Sequence, residues 1–236
     1  MTGTPASIVV LVSGGGSNLQ AILDACARGE IDGRVTAVIS NRPQAGGLER
    51  ARRHGAAAEV VEHGRFESRE HFDAALMAAI DAHRPDLVVL AGFMRILTPG
   101  FVAHYAGRLL NIHPSLLPAY RGLNTHARAL ADAVSEHGAS VHFVTGELDG
   151  GPVILQARIP VQAGDTPAAL AARVLEKEHI IYPLAVRWFC AGRLRLDDHR
   201  VVFDGRPLSA PLQLEDPAVQ AELAAPVASR NASPGR

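Results

Sequence analysis

The stretch SIVVLVSGGGSNLQAIL, residues 7–23, carries five consecutive aliphatic residues after Ser7, passes through three glycines, and resumes with Leu19, Ile22 and Leu23 at helical spacing. A strand with no polar face followed at once by a helix is the repeating unit of a parallel sheet covered by helices on both sides. The same alternation continues. Apolar runs at 35–39, 59–61, 87–90, 109–112 and 141–144 read as strands, and 19–28, 47–54, 68–83 and 125–134 have helical spacing. Beyond Asp149 the pattern predicts a strand at 153–160 and a long helix at 166–191. Short strands near Leu194 and at 201–203 are expected to extend or flank the same sheet.

The expected fold is therefore α/β, a single doubly wound, mainly parallel sheet whose ligands sit in the crevice beyond the carboxyl ends of the strands. The chain of 236 residues can bury a sizeable core as one domain, taken as 1–208. Residues 209–236 are rich in Ala, Pro and Ser and lack aromatic side chains, and are expected to form a flexible C-terminal tail.

With 23 basic and 24 acidic residues the formal net charge is −1, which gives no polyanion-binding signature, so no nucleic-acid partner is expected. No apolar run is long enough to span a bilayer, and no membrane partner is expected. Two cysteines, Cys26 and Cys190, and the lack of a secretory pattern before the first strand fit a reducing cytoplasm.

The glycine turn fits neither common nucleotide motif. A dinucleotide fingerprint needs a third glycine where Leu19 stands, and a Walker loop needs a lysine that is missing. What remains is a tight turn whose backbone N–H groups, with Ser17 and Asn18 at the helix start, can hold a monophosphate with the aid of the helix dipole. An ordinary capped strand-to-helix turn has the same sequence, so the turn alone leaves the ligand open.

Two further stretches carry chemistry. In RLLNIHPSLLPAYRGLNTHARAL, residues 108–130, Asn111 and His113 stand at i and i+2 of a strand and project to the same side at its end. Pro114 holds His113 out of the helical region, which places an amide donor and an imidazole at the crevice mouth, suited to a developing oxyanion. The alternative is a hydrogen-bonded structural histidine. In SVHFVTGELDGGPVIL, residues 140–155, Asp149 precedes Gly150 and Gly151, which let the backbone fold tightly around a site. A carboxylate beside His113 favours the imidazolium and hence a proton donor near neutral pH. An Asp-Gly-Gly between strands is equally a plain turn.

SGGGSNLQAIL, NRPQAGGLERA, SREHFD, LAGFMRIL, HYAGRLLNIHPSLLPAYRGLNTHARAL, HGASVHFVTGELDGGPVILQ and EHIIYPL together resemble the phosphoribosylglycinamide formyltransferases, over about residues 7–206. The Asn-x-His and Asp core is common to a wider group that uses 10-formyltetrahydrofolate, and the SGxGSN turn is the narrower sign. The resemblance implies transfer of formyl from 10-formyltetrahydrofolate, a co-substrate, to the amine of glycinamide ribonucleotide in purine synthesis, without a metal, by a monomer or homodimer. It implies catalytic roles for Asn111, His113 and Asp149, with Asp149 keeping His113 protonated and helping to order a proton-transferring water. It places the ribonucleotide phosphate on Gly16, Ser17 and Asn18, and the ribose hydroxyls on Glu178. It assigns Met94, Arg95 and Ile96 to the frame of the folate pocket, with Asn111 also facing the folate, Arg69 to the folate's charged tail, and Val144 to backbone contacts beside the pteridine.

Three positions depart from that family's pattern. Asn124 stands where a histidine is expected and cannot carry a proton at neutral pH. Gly146 replaces an Asp or Pro, and Leu175 stands where a Gln often makes a nucleotide contact. Competing readings are a formyltetrahydrofolate hydrolase, which would carry an extra amino-terminal domain, and a formyltransferase for initiator methionyl-tRNA. The latter shares SLLP-x-x-RG, met here by 115–122, but would need a basic carboxyl-terminal domain. A non-catalytic nucleotide-binding module would use the glycine turn alone. A zinc site would draw on His113, His126, His137, His142 and Asp149, whose spacings match no standard ligand pattern.

Overall fold

The computed structural model describes residues 4–225. Its main sheet has eight strands: β1 (Ala6–Val12), β2 (Gly33–Ser40), β3 (Ala57–Val60), β4 (Leu87–Leu90), β5 (Leu109–His113), β6 (Glu136–Phe143), β7 (Val153–Pro160) and β11 (Leu212–Gln213), in the order β11-β7-β6-β5-β4-β1-β2-β3. Strands β3, β2, β1, β4 and β5 are mutually parallel, β6 runs antiparallel to β5 and β7, and β11 lies parallel to β7.

Period-two alternation sorts the aliphatic strands onto two cores. Ile8, Val10 and Val12 of β1 face one side with Val38, Val89 and Leu110. There they meet α1 (Ser17–Ala27), α2 (Gly46–Arg53) and the long α6 (Pro167–Cys190). Val9 and Leu11 face the other side with Ala37, Ile39 and Val88, against Phe72, Leu76 and Ile80 of α3 (Arg69–Asp81) and Phe101 of α4 (Pro99–His104). A further helix, α5 (Thr125–Ala131), follows β5, and its Ala129 is buried. This is the doubly wound arrangement expected. Because β1, β4 and β5 are parallel, the glycine turn after β1, the loop after β4 and the end of β5 all emerge at one sheet edge.

Helix starts follow their caps. Ser68, Thr98 and Thr166 each accept a hydrogen bond from the backbone N–H three residues on, and prolines sit at the first position of α4 and α6. Helix α4 lies outside the expected elements, although its Thr-Pro start was a readable signal.

Two expectations are corrected. Strands β8 (Leu194–Asp197), β9 (Arg200–Phe203) and β10 (Arg206–Pro207) form a separate three-stranded antiparallel sheet rather than joining the main one. Asp198 and His199 adopt left-handed φ values of 45° and 60°, so the chain reverses in a two-residue turn and β9 pairs back on β8. The position beside β7 is taken by β11.

The second correction concerns 209–236. Leu214 and Val219 are buried, and α7 (Pro217–Ala224) carries Glu222 to the end of α6. There Glu222 accepts from the Trp188 indole at 2.7 Å and from Arg187 and Arg193 at 3.0 Å. A few contacts thus dock a segment whose composition suggested none. The remainder of that stretch, 226–236, lies outside the described residues.

Candidate functional site

The glycine turn is shaped by the packing of α2 against α1. Gly16 has φ +73°, and a Cβ there would stand 2.9 Å from the Gly47 Cα, so only glycine fits. The first helical bond of α1 runs from the Gln20 N–H to the Gly16 carbonyl at 2.9 Å, which leaves the N–H groups of Ser17, Asn18 and Leu19 ahead of the ladder. No acidic residue occupies that first turn, so the helix end favours an anion.

The Asn18 side chain is committed elsewhere. Its Nδ2 donates to Glu178 Oε2 at 2.6 Å, across 160 residues of sequence, and both side chains are buried. Burial pushes the Glu178 carboxyl up, and the Asn18 bond partly offsets this. Asn18 Oδ1 is buried with no partner among the described residues. The pair presents an acceptor-rich face beside the anion cradle, suited to hydroxyl donors.

At the end of β5, Asn111 and His113 share one face, as expected for i and i+2. The His113 Nε2 lies 2.9 Å from the Tyr120 carbonyl, which only accepts, so Nε2 carries the proton. Nδ1 faces Asp149 Oδ2 at 3.4 Å. Nδ1 is therefore the ring nitrogen turned to Asp149 and the crevice. Asp149 Oδ2 also accepts from the Gly122 N–H at 2.9 Å, so residues 120–122 fix imidazole and carboxylate together. The chain just before it, at 115–117, is held by Ser140, whose hydroxyl accepts from the Leu117 N–H at 3.0 Å and donates to the Ser115 carbonyl at 2.7 Å.

Asp149 adopts a left-handed φ of 48°. The chain then returns so tightly that a Cβ on Gly151 would overlap the Phe143 carbonyl. The Asp-Gly-Gly turn thus brings the carboxylate across the crevice to His113.

His142 joins this set, although the sequence had marked it only in the zinc reading. It lies directly opposite Asn111 in the antiparallel β5–β6 pair. Its Nδ1 is 2.9 Å from the Phe143 carbonyl and must donate, so its Nε2 accepts from Asn111 Nδ2 at 3.1 Å. Burial lowers the His142 pKa, which favours the neutral ring. Asn111 is thereby turned with its amide nitrogen toward His142, and its second N–H is left for the crevice. The cross-strand pairing is the signal that would have found His142.

The loop after β4 presents Met94 and Ile96, each 58% exposed, at the same edge. The Arg95 guanidinium covers the Phe72 ring at 5.8 Å, and Arg69 stands exposed one turn before Phe72 on α3. The Val144 N–H is bound to the Leu109 carbonyl at 2.9 Å. Of the departing residues, Asn124 takes φ 57° before α5 without a side-chain cap, and nothing would meet a Cβ at Gly146.

Near this site His137 Nε2 lies 3.1 Å from His126 Nδ1. Burial and the neighbouring ring lower the His137 pKa to about 4, and burial lowers that of His126. Among the described residues no group of three or more His, Cys, Asp or Glu is arranged to hold a metal ion. No helix among them is long and apolar enough to cross a membrane, and both cysteines are free.

The Formyl transferase family model matches residues 6–186. The chain is 59% identical over 202 residues to the phosphoribosylglycinamide formyltransferase of Escherichia coli strain K12, covering 86% of this chain and 95% of that protein. The solved phosphoribosylglycinamide formyltransferase from Coxiella burnetii, in complex with CHES, superimposes with a TM-score of 0.85 at 51% identity, covering 89% of this chain and 99% of that one. A formyltetrahydrofolate deformylase structure from Burkholderia mallei matches at 29% identity with a TM-score of 0.77, covering 86% of this chain and 70% of that one.

Proposed function

The chain belongs to the phosphoribosylglycinamide formyltransferases, and from that premise we propose how its residues move formyl from 10-formyltetrahydrofolate to the amine of glycinamide ribonucleotide. The products are formylglycinamide ribonucleotide and tetrahydrofolate. The observation that carries the reading is the division of His113 between two partners: Nε2 is held by the Tyr120 carbonyl, and Nδ1 is left between Asp149 and the crevice.

The substrate amine attacks the formyl carbon, a C–N bond forms, and the carbonyl electron pair moves onto oxygen. The free Asn111 N–H and the His113 Nδ1–H both donate to that oxyanion, and the Asp149 carboxylate stabilises the imidazolium while the charge develops. The bond to the folate N10 then breaks as the oxyanion collapses. Over the cycle one proton leaves the attacking amine and one reaches N10, and a water ordered by Asp149 carries that transfer.

Gly16, Ser17 and Asn18 hold the ribonucleotide phosphate through their N–H groups, and Glu178 receives the ribose hydroxyls beside it. The folate lies in a separate pocket, with Met94, Arg95, Ile96, Asn111 and the Val144 backbone around its ring system and Arg69 toward its charged tail. Asn111→Ala and His113→Ala should each lower kcat severely, and initial-rate measurements with both substrates saturating test this. Wild-type turnover in either variant would remove that residue from the mechanism.

A further inference from the structure

Ser13 closes β1 immediately before the glycine turn, yet its polar atoms face the loop after β4. Its N–H donates to the Gly92 carbonyl at 3.1 Å, and its hydroxyl oxygen accepts from the Met94 N–H at 2.8 Å. The hydroxyl proton goes to Asn41 Oδ1 at 2.6 Å. Asn41 follows β2, is buried, and turns its amide nitrogen toward His63 Nδ1 at 3.3 Å. Both capacities of the hydroxyl are thus used, and its orientation is fixed from two sides.

Among the described residues, the polar anchors of the loop it grips stand at its two ends. Its far end is pinned where the Thr98 N–H donates to the buried Asp73 carboxylate at 2.6 Å. Between these points Met94 and Ile96 project into solvent. The alternate residues Phe93 and Leu97 pack inward on the core beneath α3 and Arg95 covers Phe72, so the outward-facing Met94 and Ile96 take their position from the backbone between them, which Ser13 bonds at Met94.

We infer that Ser13, oriented by Asn41, is a positioning residue for the folate rim, although in sequence it adjoins the turn that holds the ribonucleotide. This rests on the assignment of Met94–Ile96 to the folate pocket made above. Removing the hydroxyl leaves Met94 N–H and buried Asn41 Oδ1 without their partner, and the loop gives up a defined position. The loss falls on folate binding because the glycine turn keeps its own contacts with α2, including the Gly47 N–H to Gly14 carbonyl bond at 3.1 Å.

The test is a grid of initial rates in both substrates for Ser13→Ala, Ser13→Thr, Asn41→Ala and Met94→Ala, with thermal unfolding of each. Ser13→Ala should raise the KM for 10-formyltetrahydrofolate about tenfold, the value of one well-placed hydrogen bond, and change that for glycinamide ribonucleotide less than about twofold. Ser13→Thr retains the hydroxyl and should recover folate KM to near wild type. Asn41→Ala should raise the same KM by less than Ser13→Ala does, and it decides the matter if Ser13→Ala does not fold. A normal folate KM in Ser13→Ala and Asn41→Ala, with a raised one in Met94→Ala, would overturn the clamp and leave the pocket assignment standing. A normal folate KM in Met94→Ala as well would remove the pocket assignment itself. Equal rises in both KM values, or failure of threonine to rescue, would mark general loosening and also overturn the inference.

Discussion

Replacing Asp149 by asparagine isolates charge from shape. Asp149 Oδ2 serves both the Gly122 N–H at 2.9 Å and His113 Nδ1 at 3.4 Å, and an amide oxygen can take that place. The amide nitrogen then falls where Oδ1 stands, 3.9 Å from His142 Nε2, which carries no proton of its own to oppose it. The variant should therefore fold with its site geometry retained. What it loses is the attraction between carboxylate and imidazolium, about 5 kcal/mol for unit charges at 3.4 Å in an effective dielectric of about 20. At about 1.4 kcal/mol per decade this sets a ceiling near 10³–10⁴-fold in kcat, in line with the typical worth of general acid–base assistance. The assay is tetrahydrofolate release at saturating substrates, with both KM values expected within a few-fold of wild type. Because the residues act as a unit, Asp149→Asn combined with His113→Ala should be little slower than His113→Ala alone. Turnover near wild type in Asp149→Asn, or fully multiplicative losses in the double variant, would refute the reasoning.

Three other outcomes follow from the geometry. Asn18→Leu removes the donor to Glu178 and crowds the anion cradle, so it should raise the KM for glycinamide ribonucleotide at least about tenfold and leave folate KM nearly unchanged, as initial rates in each substrate will show. Burial pushes the Glu178 carboxyl up, so acidification protonates it above the ordinary carboxylate range and removes an acceptor for the ribose. The ribonucleotide KM should rise through that window, whereas Glu178→Gln should show a high KM without that inflection. His137 is held neutral down to about pH 4, whereas the unfolded chain takes up the proton near pH 6.5. This contribution to stability is therefore fully present above pH 6.5 and falls away as pH drops toward 4. Denaturant unfolding at pH 7 and pH 5 should differ by about 1–2 kcal/mol from this group, and His137→Gln should flatten the difference.

What the sequence disclosed was local. The aliphatic run 8–12 and the helical spacing after it depend only on neighbours, and they suffice for a strand, a turn and a helix. Asn111 and His113 share a face because of strand geometry alone. By contrast, His142 meets Asn111 only because β6 turns antiparallel beside β5, a pairing that no local pattern records. Glu178 reaches Asn18 across 160 residues, and family resemblance alone pointed to it. The docking of α7 was hidden because it rests on Glu222, Leu214 and Val219 rather than on a periodic apolar stripe. The hairpin at 194–203 read correctly as short strands, but its partner was misjudged, since the turn at Asp198 and His199 sends β9 back along β8.

The most direct test of the account is tetrahydrofolate release from 10-formyltetrahydrofolate by the wild-type chain, followed with and without glycinamide ribonucleotide. Direct transfer predicts release that depends on the ribonucleotide, with one formylated ribonucleotide formed for each tetrahydrofolate. Release at the same rate without the ribonucleotide, with formate as the product, would contradict it and assign the Asn111, His113 and Asp149 site to water as the acceptor.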